Sequence, residues 1–149
     1  MNSDFRELLK TFNDCAVRYL VVGGYAVMRY TEPRYTKDLD LWVDPIPENA
    51  ERVYRALAQF GAPLVNITPA DFSDSEMLYQ LGVDPVRVDI LMDIPGLAFE
   101  GAWSRRIQTD FLGEPSPMIS LEDLITTKRA SGRRQDRMDL HRLLKQRPR

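Results

Sequence analysis

"VVGGYAVMRYTEPRYTKDLDLWVD", Val21 to Asp44, places two glycines after an apolar run and ends in an alternating segment with two carboxylates. A β-branched run that stops at glycine predicts a short buried strand, and the residues that follow predict a helix. Over Asp38–Val43 the Leu and Val side chains fall on one face and both carboxylates on the other, which is typical of a strand with one buried face. The segment therefore predicts strand, glycine turn, helix and strand.

The rest of the chain predicts more helices and strands around this unit. The pattern is α-β-α-β-α-β-β-α-β-α-α, with VRVDILMD (residues 86–93) as the second strand of an antiparallel hairpin. Gly61 and Gly132 are expected to end helices, and Ser120 with Asp123 to start one through a capping box. We therefore expect an α/β (α+β) fold, with helices packed on a small mixed sheet and a pair of helices at the C-terminus.

Length and composition favour one globular domain. The chain has 149 residues, of which 44% are hydrophobic and 28% charged, and it contains no repeat or low-complexity tract. We expect a single domain over residues 1–149, with a core over residues 16–112 and the C-terminal helices over residues 120–146.

Several classes of protein are disfavoured. The longest apolar run is too short to span a bilayer, and the N-terminus lacks the apolar core of a signal peptide. Cys15 is the single cysteine, which excludes an intrachain disulfide and agrees with a reducing compartment. With His141 as the only histidine, a zinc site is not expected. We therefore expect a cytoplasmic protein without a membrane partner.

Charge is distributed unevenly along the chain. The formal net charge of -2 predicts no general affinity for nucleic acid, yet nine Lys and Arg residues lie between Lys128 and Arg149. This basic end could face phosphate groups. The alternative, a solvated helical face with a frayed tail, is the more common origin of such a run.

The carboxylates suggest a metal site. Asp38 and Asp40 should project together, because residues i and i+2 of a strand point the same way about 7 Å apart. If the strand that carries Asp89 lies beside them, three like charges meet, and at least one pKa must rise unless a cation intervenes. Hard oxygen ligands suit Mg²⁺ or Mn²⁺, and two such ions serve phosphoryl or nucleotidyl transfer. An exposed strand end for the acids and a plain tight turn for Gly23 and Gly24 remain open alternatives.

The glycines and the carboxylates together form a compound motif. A glycine turn at a helix N-terminus offers N–H groups and a positive dipole end to a triphosphate. "VVGGYAVMRYTEPRYTKDLDLWV", with a third acid in "VRVDIL", resembles the nucleotidyltransferase superfamily, and "ISLEDLITTKRASGRRQDRMDL" extends the resemblance through a lysine, Gly-Arg and a later Asp. The match runs roughly from Tyr19 to Leu140. It is most similar to small bacterial nucleotidyltransferases of toxin–antitoxin and abortive-infection systems.

The resemblance implies a role for each motif residue. Gly23 and Gly24 would contact the nucleotide phosphates, although many relatives have serine where Gly24 stands. Asp38 and Asp40 would bind metal. Asp89 would bind metal or deprotonate the acceptor hydroxyl.

Other residues are weaker candidates for the same site. By resemblance, Lys128 would approach the triphosphate as a compact charge, and Asp136 would orient Lys128 or lie near the site. The alternative for both residues is a pair of helix-surface groups or an ion pair between the last two helices. Arg34 and Thr36 precede the metal strand and could reach phosphates or acceptor, but a solvated loop explains them equally well. Trp42 shares the face of the acids, where packing is expected in preference to contact with the nucleotide base.

The implied activity is metal-dependent transfer of a nucleoside monophosphate from a nucleoside triphosphate, ATP by default, to an acceptor hydroxyl, with release of pyrophosphate. The acceptor could be a protein, an RNA or a small molecule, and protein or RNA is favoured. The short chain leaves little room for an acceptor domain, so a partner protein or a homodimer is expected to help form the acceptor site.

The competing hypothesis is a non-catalytic, antitoxin-like binding module. The three retained acids argue against it. A metal-dependent phosphohydrolase would share the acids but needs no glycine turn.

Overall fold

The structure is a computed structural model that describes residues 3–33, 38–83 and 86–148. Six α-helices and six strands occur in these ranges, with a short 3-10 helix at Pro69–Ser73. In chain order they are α1 (Ser3–Asp14), β1 (Tyr19–Val22), α2 (Gly23–Tyr30), β2 (Asp38–Val43), α3 (Pro47–Phe60), β3 (Leu78–Val83), β4 (Val86–Leu91), α4 (Phe99–Ser104), β5 (Ile107–Phe111), β6 (Glu114–Met118), α5 (Leu121–Ser131) and α6 (Arg134–Leu144).

One mixed sheet organises the fold. The strand order is β3-β4-β2-β1-β6-β5. β2 runs parallel to β4 and β1 runs parallel to β6, whereas the other neighbours are antiparallel. The expected α/β architecture with a small mixed sheet is confirmed, and so is the antiparallel hairpin formed by β3 and β4.

The buried face of β2 follows from its alternation. Leu39, Leu41 and Val43 are each 0% exposed, and they belong to one hydrophobic core that also includes side chains of α1, α3 and α5. Trp42 is buried as well, and its ring packs edge-on against Phe99 with 5.1 Å between the centroids. The preference for packing at Trp42 is thus confirmed.

The sequence pattern missed β6, because the strand reads EPSPM and prolines are rare inside sheets. β6 nevertheless lies between β1 and β5. Its only register pair with β1 joins Met118 to Val21. The carbonyl of Pro115 accepts hydrogen bonds from the side chains of Asn13 and Tyr19. The prolines are tolerated because little of the ladder toward β1 forms along this strand.

Helix ends agree with the sequence signals. Gly61 ends α3 with φ 93° and Gly132 ends α5 with φ 69°, both in the left-handed region that glycine tolerates best. At the start of α5 the Ser120 hydroxyl accepts a hydrogen bond of 3.1 Å from the Asp123 N–H. Within the described ranges, no helix has both the length and the apolar character needed to cross a bilayer.

Candidate active site

The three predicted carboxylates come from two neighbouring strands. Asp40 of β2 and Asp89 of β4 are register partners in a parallel pair, and Asp38 lies two residues before Asp40. Neighbouring strands are about 4.8 Å apart, and residues i and i+2 share a face. The register therefore brings all three acids to the same face of the sheet, opposite the buried leucines of β2.

Gly23 joins this cluster to the first strand. Val22, the last residue of β1, is the register partner of Asp40, so Gly23 begins α2 beside the acid. A β-carbon at position 23 would lie 2.1 Å from Asp40 Oδ2, and the backbone there has φ 71°. Both the close approach and the left-handed backbone require glycine.

The start of α2 carries backbone donors that have no acceptor within the helix. The first N–H groups of a helix have no partner within the helix, and they form the positive end of its dipole. The N-cap residue, Val22, supplies no side-chain hydrogen bond to them. Gly24 is the second residue of this helix. The turn is therefore suited to anions, as the sequence predicts.

The ionisation of Asp40 depends on its burial and on its acidic neighbours. Burial raises the pKa of Asp40 to about 7, and the negative charges of Asp89 and Asp38 add to the effect. Lys128 and Arg87 oppose the rise by favouring the charged form. At neutral pH this carboxyl group is therefore poised between its protonated and ionised states.

Arg87, which the sequence pattern placed on the face of Asp89 without a role, lies between two of the acids. Its Nη2 donates hydrogen bonds to Asp38 Oδ2 at 2.7 Å and to Asp89 Oδ2 at 3.3 Å. Its Nε lies 3.1 Å from Asp89 Oδ1. The guanidinium therefore bridges β2 and β4 where a metal was expected. The position of Arg87 between the two strands depends on strand register and side-chain geometry, and a sequence pattern contains neither.

A metal site must be judged on this arrangement. Three carboxylates are a donor set that suits Mg²⁺ or Mn²⁺ in chemistry. As the side chains stand, however, no group of three or more His, Cys, Asp or Glu residues in the described part of the chain could hold an ion. The carboxylate oxygens are of the type that these metals prefer, but in this arrangement Asp38 and Asp89 contact Arg87.

Lys128 is buried in a network between the last two helices. Only 8% of the residue is exposed, and its Nζ lies 2.9 Å from Asp136 Oδ1 and 3.2 Å from Asp139 Oδ2. The predicted link between Lys128 and Asp136 is present. Asp139 was missed, although its spacing of three residues from Asp136 on a helix is a usable signal. Two carboxylates hold the ammonium in one position.

Asp136 accepts hydrogen bonds from three side chains of this network. Burial alone would raise its pKa, but hydrogen bonds from Arg133, Ser131 and Lys128 outweigh burial and hold the pKa of Asp136 well below its usual range. Arg133 Nε donates to Asp136 Oδ2 at 2.7 Å, and the Ser131 hydroxyl donates to the same oxygen. Asp136 is therefore ionised throughout the physiological pH range.

A cavity of about 290 Å³ joins the glycine turn to this network. Gly23, Asp40, Lys128 and Asp136 are among its lining residues, so the fold brings four of the predicted site residues to one space. Arg133 also lines it, together with apolar side chains of β4, the loop after it and α5.

The other predicted residues are placed differently. Asp38 and Asp89 lie beside the cavity rather than on its lining, and Gly24 does not line it either. Arg34 and Thr36 fall outside the described residues. Most of the basic C-terminal run faces solvent, which agrees with the explanation of such a run as a solvated helical face. Arg134, Arg137, Arg142 and Lys145 are exposed.

Solved structures with the same fold were found by comparison of coordinates. LnuA, a lincosamide antibiotic adenylyltransferase whose crystal structure holds lincomycin, aligns with a TM-score of 0.63 at 17% sequence identity, over 99% of this chain and 98% of that chain. A putative nucleotidyltransferase from Thermotoga maritima aligns with a TM-score of 0.59 at 20% identity, over 96% of this chain and 91% of that chain. No curated protein sequence matches this chain.

Sequence comparison with families gives the same result over almost the whole chain. The model of a family described as "Nucleotidyl transferase of unknown function (DUF2204)" matches residues 1–148. The nucleotidyltransferase fold and the resemblance to that superfamily are therefore confirmed, while the closer resemblance to toxin–antitoxin proteins stays a prediction. From its sequence, its mixed sheet and the residues gathered at the glycine turn, this chain belongs to that nucleotidyl transferase family.

Proposed function

We propose that this protein transfers a nucleoside monophosphate from a nucleoside triphosphate, with ATP as the expected donor, to an acceptor hydroxyl and releases pyrophosphate. The observation that carries the proposal is one cavity lined by the glycine helix turn, by Asp40 and by the buried Lys128, with Asp38 and Asp89 beside Asp40 on the paired strands. Each part alone is common. Together they would supply hydrogen-bond donors for the phosphates, carboxylates for a cation and a positive charge for one triphosphate.

The phosphate end of the nucleotide is assigned to the turn and to Lys128. The N–H groups of Gly23 and Gly24 can donate to phosphate oxygens, because these residues carry no side chain to block approach. Lys128 is held at the cavity wall by Asp136 and Asp139. A lysine fixed in this way presents its charge without first losing side-chain entropy.

The carboxylates are assigned to divalent cations. Asp38, Asp40 and Asp89 would hold Mg²⁺ or Mn²⁺, with two ions expected. Burial raises the pKa of Asp40 to about 7 and the charges of Asp89 and Asp38 add to the rise, so added positive charge would favour the ionised cluster. When bound, such ions neutralise the charge that develops on the phosphate oxygens. Asp89 serves as a ligand or accepts the proton of the acceptor hydroxyl, in either case from the position fixed by β4.

The nature of the acceptor is the open part of the proposal. LnuA, with nearly complete mutual coverage, is described as acting on lincosamide antibiotics and holds lincomycin. A chain of this length and fold can thus take a small molecule, and this weakens the expectation that a partner protein must complete the site. Protein and RNA hydroxyls remain acceptors to test, and a toxin–antitoxin role is supported by the sequence resemblance alone.

A labelling experiment tests the reaction. The purified protein is incubated with α-labelled nucleoside triphosphates, Mg²⁺ and either a cell lysate or lincomycin, and the label is followed in protein, RNA and small molecules. We expect pyrophosphate release together with a labelled acceptor, and loss of both in an Asp38→Asn/Asp40→Asn variant. Free phosphate or free nucleoside monophosphate alone would identify a phosphohydrolase instead.

The non-catalytic binding module is favoured by one observation. Arg87 already neutralises part of the charge of Asp38 and Asp89, as in a site that needs no ion. Thermal shift assays separate the two functions. A rise in melting temperature that requires both ATP and Mg²⁺, and that is absent from the double Asn variant, supports the enzyme; no such rise supports the binding module.

A further inference from the structure

We propose that Arg133 binds the phosphate chain of the nucleotide directly, as a second cation beside the buried Lys128. The inference rests on the proposed function, because it concerns the nucleoside triphosphate that the same cavity is expected to take. It gives Arg133 a role in substrate binding in addition to its hydrogen bond with Asp136.

The position of Arg133 is the first argument. It lies between α5 and α6 and lines the cavity that Gly23, Asp40 and Lys128 also line. The pKa of Arg133 is raised first by its hydrogen bond to Asp136, and the negative charge of Asp40 adds to the rise. Arg133 therefore borders the space in which the triphosphate is expected to lie.

The hydrogen-bond donors of Arg133 are the second argument. Its Nε donates to Asp136 Oδ2 at 2.7 Å, and its Nη2 donates to Asp136 Oδ1 at 3.4 Å. Since a guanidinium carries five N–H donors, these bonds leave both N–H groups of Nη1 and one of Nη2. Within the described ranges Nη1 has no hydrogen-bond partner, and 79% of the side chain is exposed. Arg133 can thus bind an anion and keep its contact with Asp136.

Lys128 is less available to a ligand than Arg133. Its Nζ already contacts Asp136 at 2.9 Å and Asp139 at 3.2 Å, and only 10% of its side chain is exposed. Two carboxylates thus share its charge, and few of its three N–H donors remain for phosphate oxygens. Of the two cations on the described lining of the cavity, Arg133 is the one that can form several hydrogen bonds to a phosphate group.

The contact with Asp136 prepares Arg133 for this role. Its Nε is bonded to a carboxylate that is almost fully buried, so the guanidinium has a limited range of positions. A planar guanidinium matches two oxygens of a phosphate group, and such charged hydrogen bonds are about twice as strong as neutral ones. The contact also reduces the side-chain entropy that binding would otherwise cost.

Nucleotide titration tests the inference. Dissociation constants of ATP and of inorganic tripolyphosphate, both with Mg²⁺, are measured by calorimetry for the wild type, Arg133→Gln and Arg133→Lys. Arg133→Gln should bind both ligands at least about tenfold more weakly, because a hydrogen bond to a charged group typically contributes that much. Arg133→Lys keeps the charge beside Asp136 but has no planar guanidinium, so its affinities should lie between those of the other two proteins.

Three outcomes would overturn the inference. The first is wild-type affinity for ATP in Arg133→Gln. The second is a loss for ATP with unchanged affinity for tripolyphosphate, because Arg133 would then contact the nucleoside. The third is a wild type that binds neither ligand.

Two control variants separate a direct contact from other effects. Ser131→Ala removes a hydrogen bond to the same oxygen of Asp136 and removes no charge, so it reports any effect that reaches the nucleotide through Asp136. Arg134→Gln removes a positive charge from the next residue, which is exposed and is not among the described residues that line the cavity. Both variants should bind ATP with nearly wild-type affinity. A loss in either that equals the loss in Arg133→Gln would contradict the direct contact.

The labelling reaction judges the proposed function separately. If ATP binding depends on Arg133 but no label reaches an acceptor, the inference holds and the proposed transfer is wrong. If label is transferred and Arg133→Gln binds ATP like the wild type, the proposed transfer holds and the inference is wrong.

Discussion

Gly23 and Asp40 approach each other so closely that a β-carbon at position 23 would lie 2.1 Å from the carboxylate Oδ2. The helix that would receive the phosphates and the strand that carries the acids therefore touch through a backbone without a side chain. Any larger residue at position 23 must push the acid away or move the turn.

The first prediction concerns this contact. Gly23→Ala should destabilise the protein and abolish the nucleotide-dependent thermal shift, because the methyl group displaces Asp40. Gly61→Ala is a matched control: it also imposes a left-handed alanine, at φ 93°, but its β-carbon would meet no atom within 4 Å. The control should lose about 1–2 kcal/mol of unfolding free energy and keep nucleotide binding. Equal losses in the two variants, measured by urea unfolding, would mean that the contact with Asp40 is unimportant.

The second prediction concerns pH. Burial and the neighbouring Asp89 and Asp38 raise the pKa of Asp40 to about 7, above its ordinary value of 3.8. Between these values the folded protein holds a proton that the unfolded chain has lost, so the free energy of unfolding falls as pH rises. Asp40→Asn should remove this dependence. In the absence of metal the variant should be more stable than the wild type near pH 8, by a difference that shrinks steadily as pH falls and vanishes below the ordinary pKa of 3.8.

Mg²⁺ provides the control for that experiment. An ion bound by the acids stabilises the ionised form of Asp40, so Mg²⁺ should narrow the difference between the wild type and Asp40→Asn near pH 8. A stability difference that does not change with pH would show that Asp40 has an ordinary pKa in the folded protein.

The third prediction concerns the buried lysine. Lys128→Met removes the ammonium shared by Asp136 and Asp139, both of which are almost fully buried. Removal of one partner from a buried charge network typically costs about 3–5 kcal/mol, and we expect a loss of that order in urea unfolding. Lys10→Met, which breaks an exposed pair with Asp14, should change stability little. A small effect at Lys128 would mean that the two acids are neutral in the folded protein.

The fourth prediction concerns acid unfolding. Hydrogen bonds from Arg133, Ser131 and Lys128 overcome the effect of burial and keep the pKa of Asp136 below its ordinary value of 3.8. The stability that these bonds provide is complete above that value and is lost as pH falls toward the folded pKa. Asp136→Asn should therefore flatten the decline in unfolding free energy below about pH 4. An unchanged slope in a pH series of urea unfolding would contradict this.

Sequence reasoning was most successful where local pattern dictates structure. The alternation of residues along β2 predicted both its buried face and the shared direction of Asp38 and Asp40, because side chains on a strand have a period of two. Gly61 and Gly132 gave the ends of two helices, because few other residues accept their backbone angles.

Features that depend on long-range packing were less accessible. The sequence pattern did not predict β6, because prolines disfavour a strand. The segment forms a strand through its position between β1 and β5. The bridging of Asp38 and Asp89 by Arg87 depends on the register of two strands that are far apart in sequence. Asp139 joins Lys128 only because α5 and α6 pack together. The roles assigned to Arg34 and Thr36 stay predictions.

The parallel pairing of β2 with β4 has a kinetic consequence. Asp38 and Arg87 are 49 positions apart in the chain, so Asp89 joins Asp38 and Asp40 only after a distant segment has docked. In the unfolded ensemble Asp89 is distant from the other two acids, and we expect its repulsion with them to arise after the folding barrier. Replacement of one of the three acids by an uncharged residue, or an ion bound by them, should then mainly lengthen the lifetime of the native state. The refolding rate should be nearly unaltered.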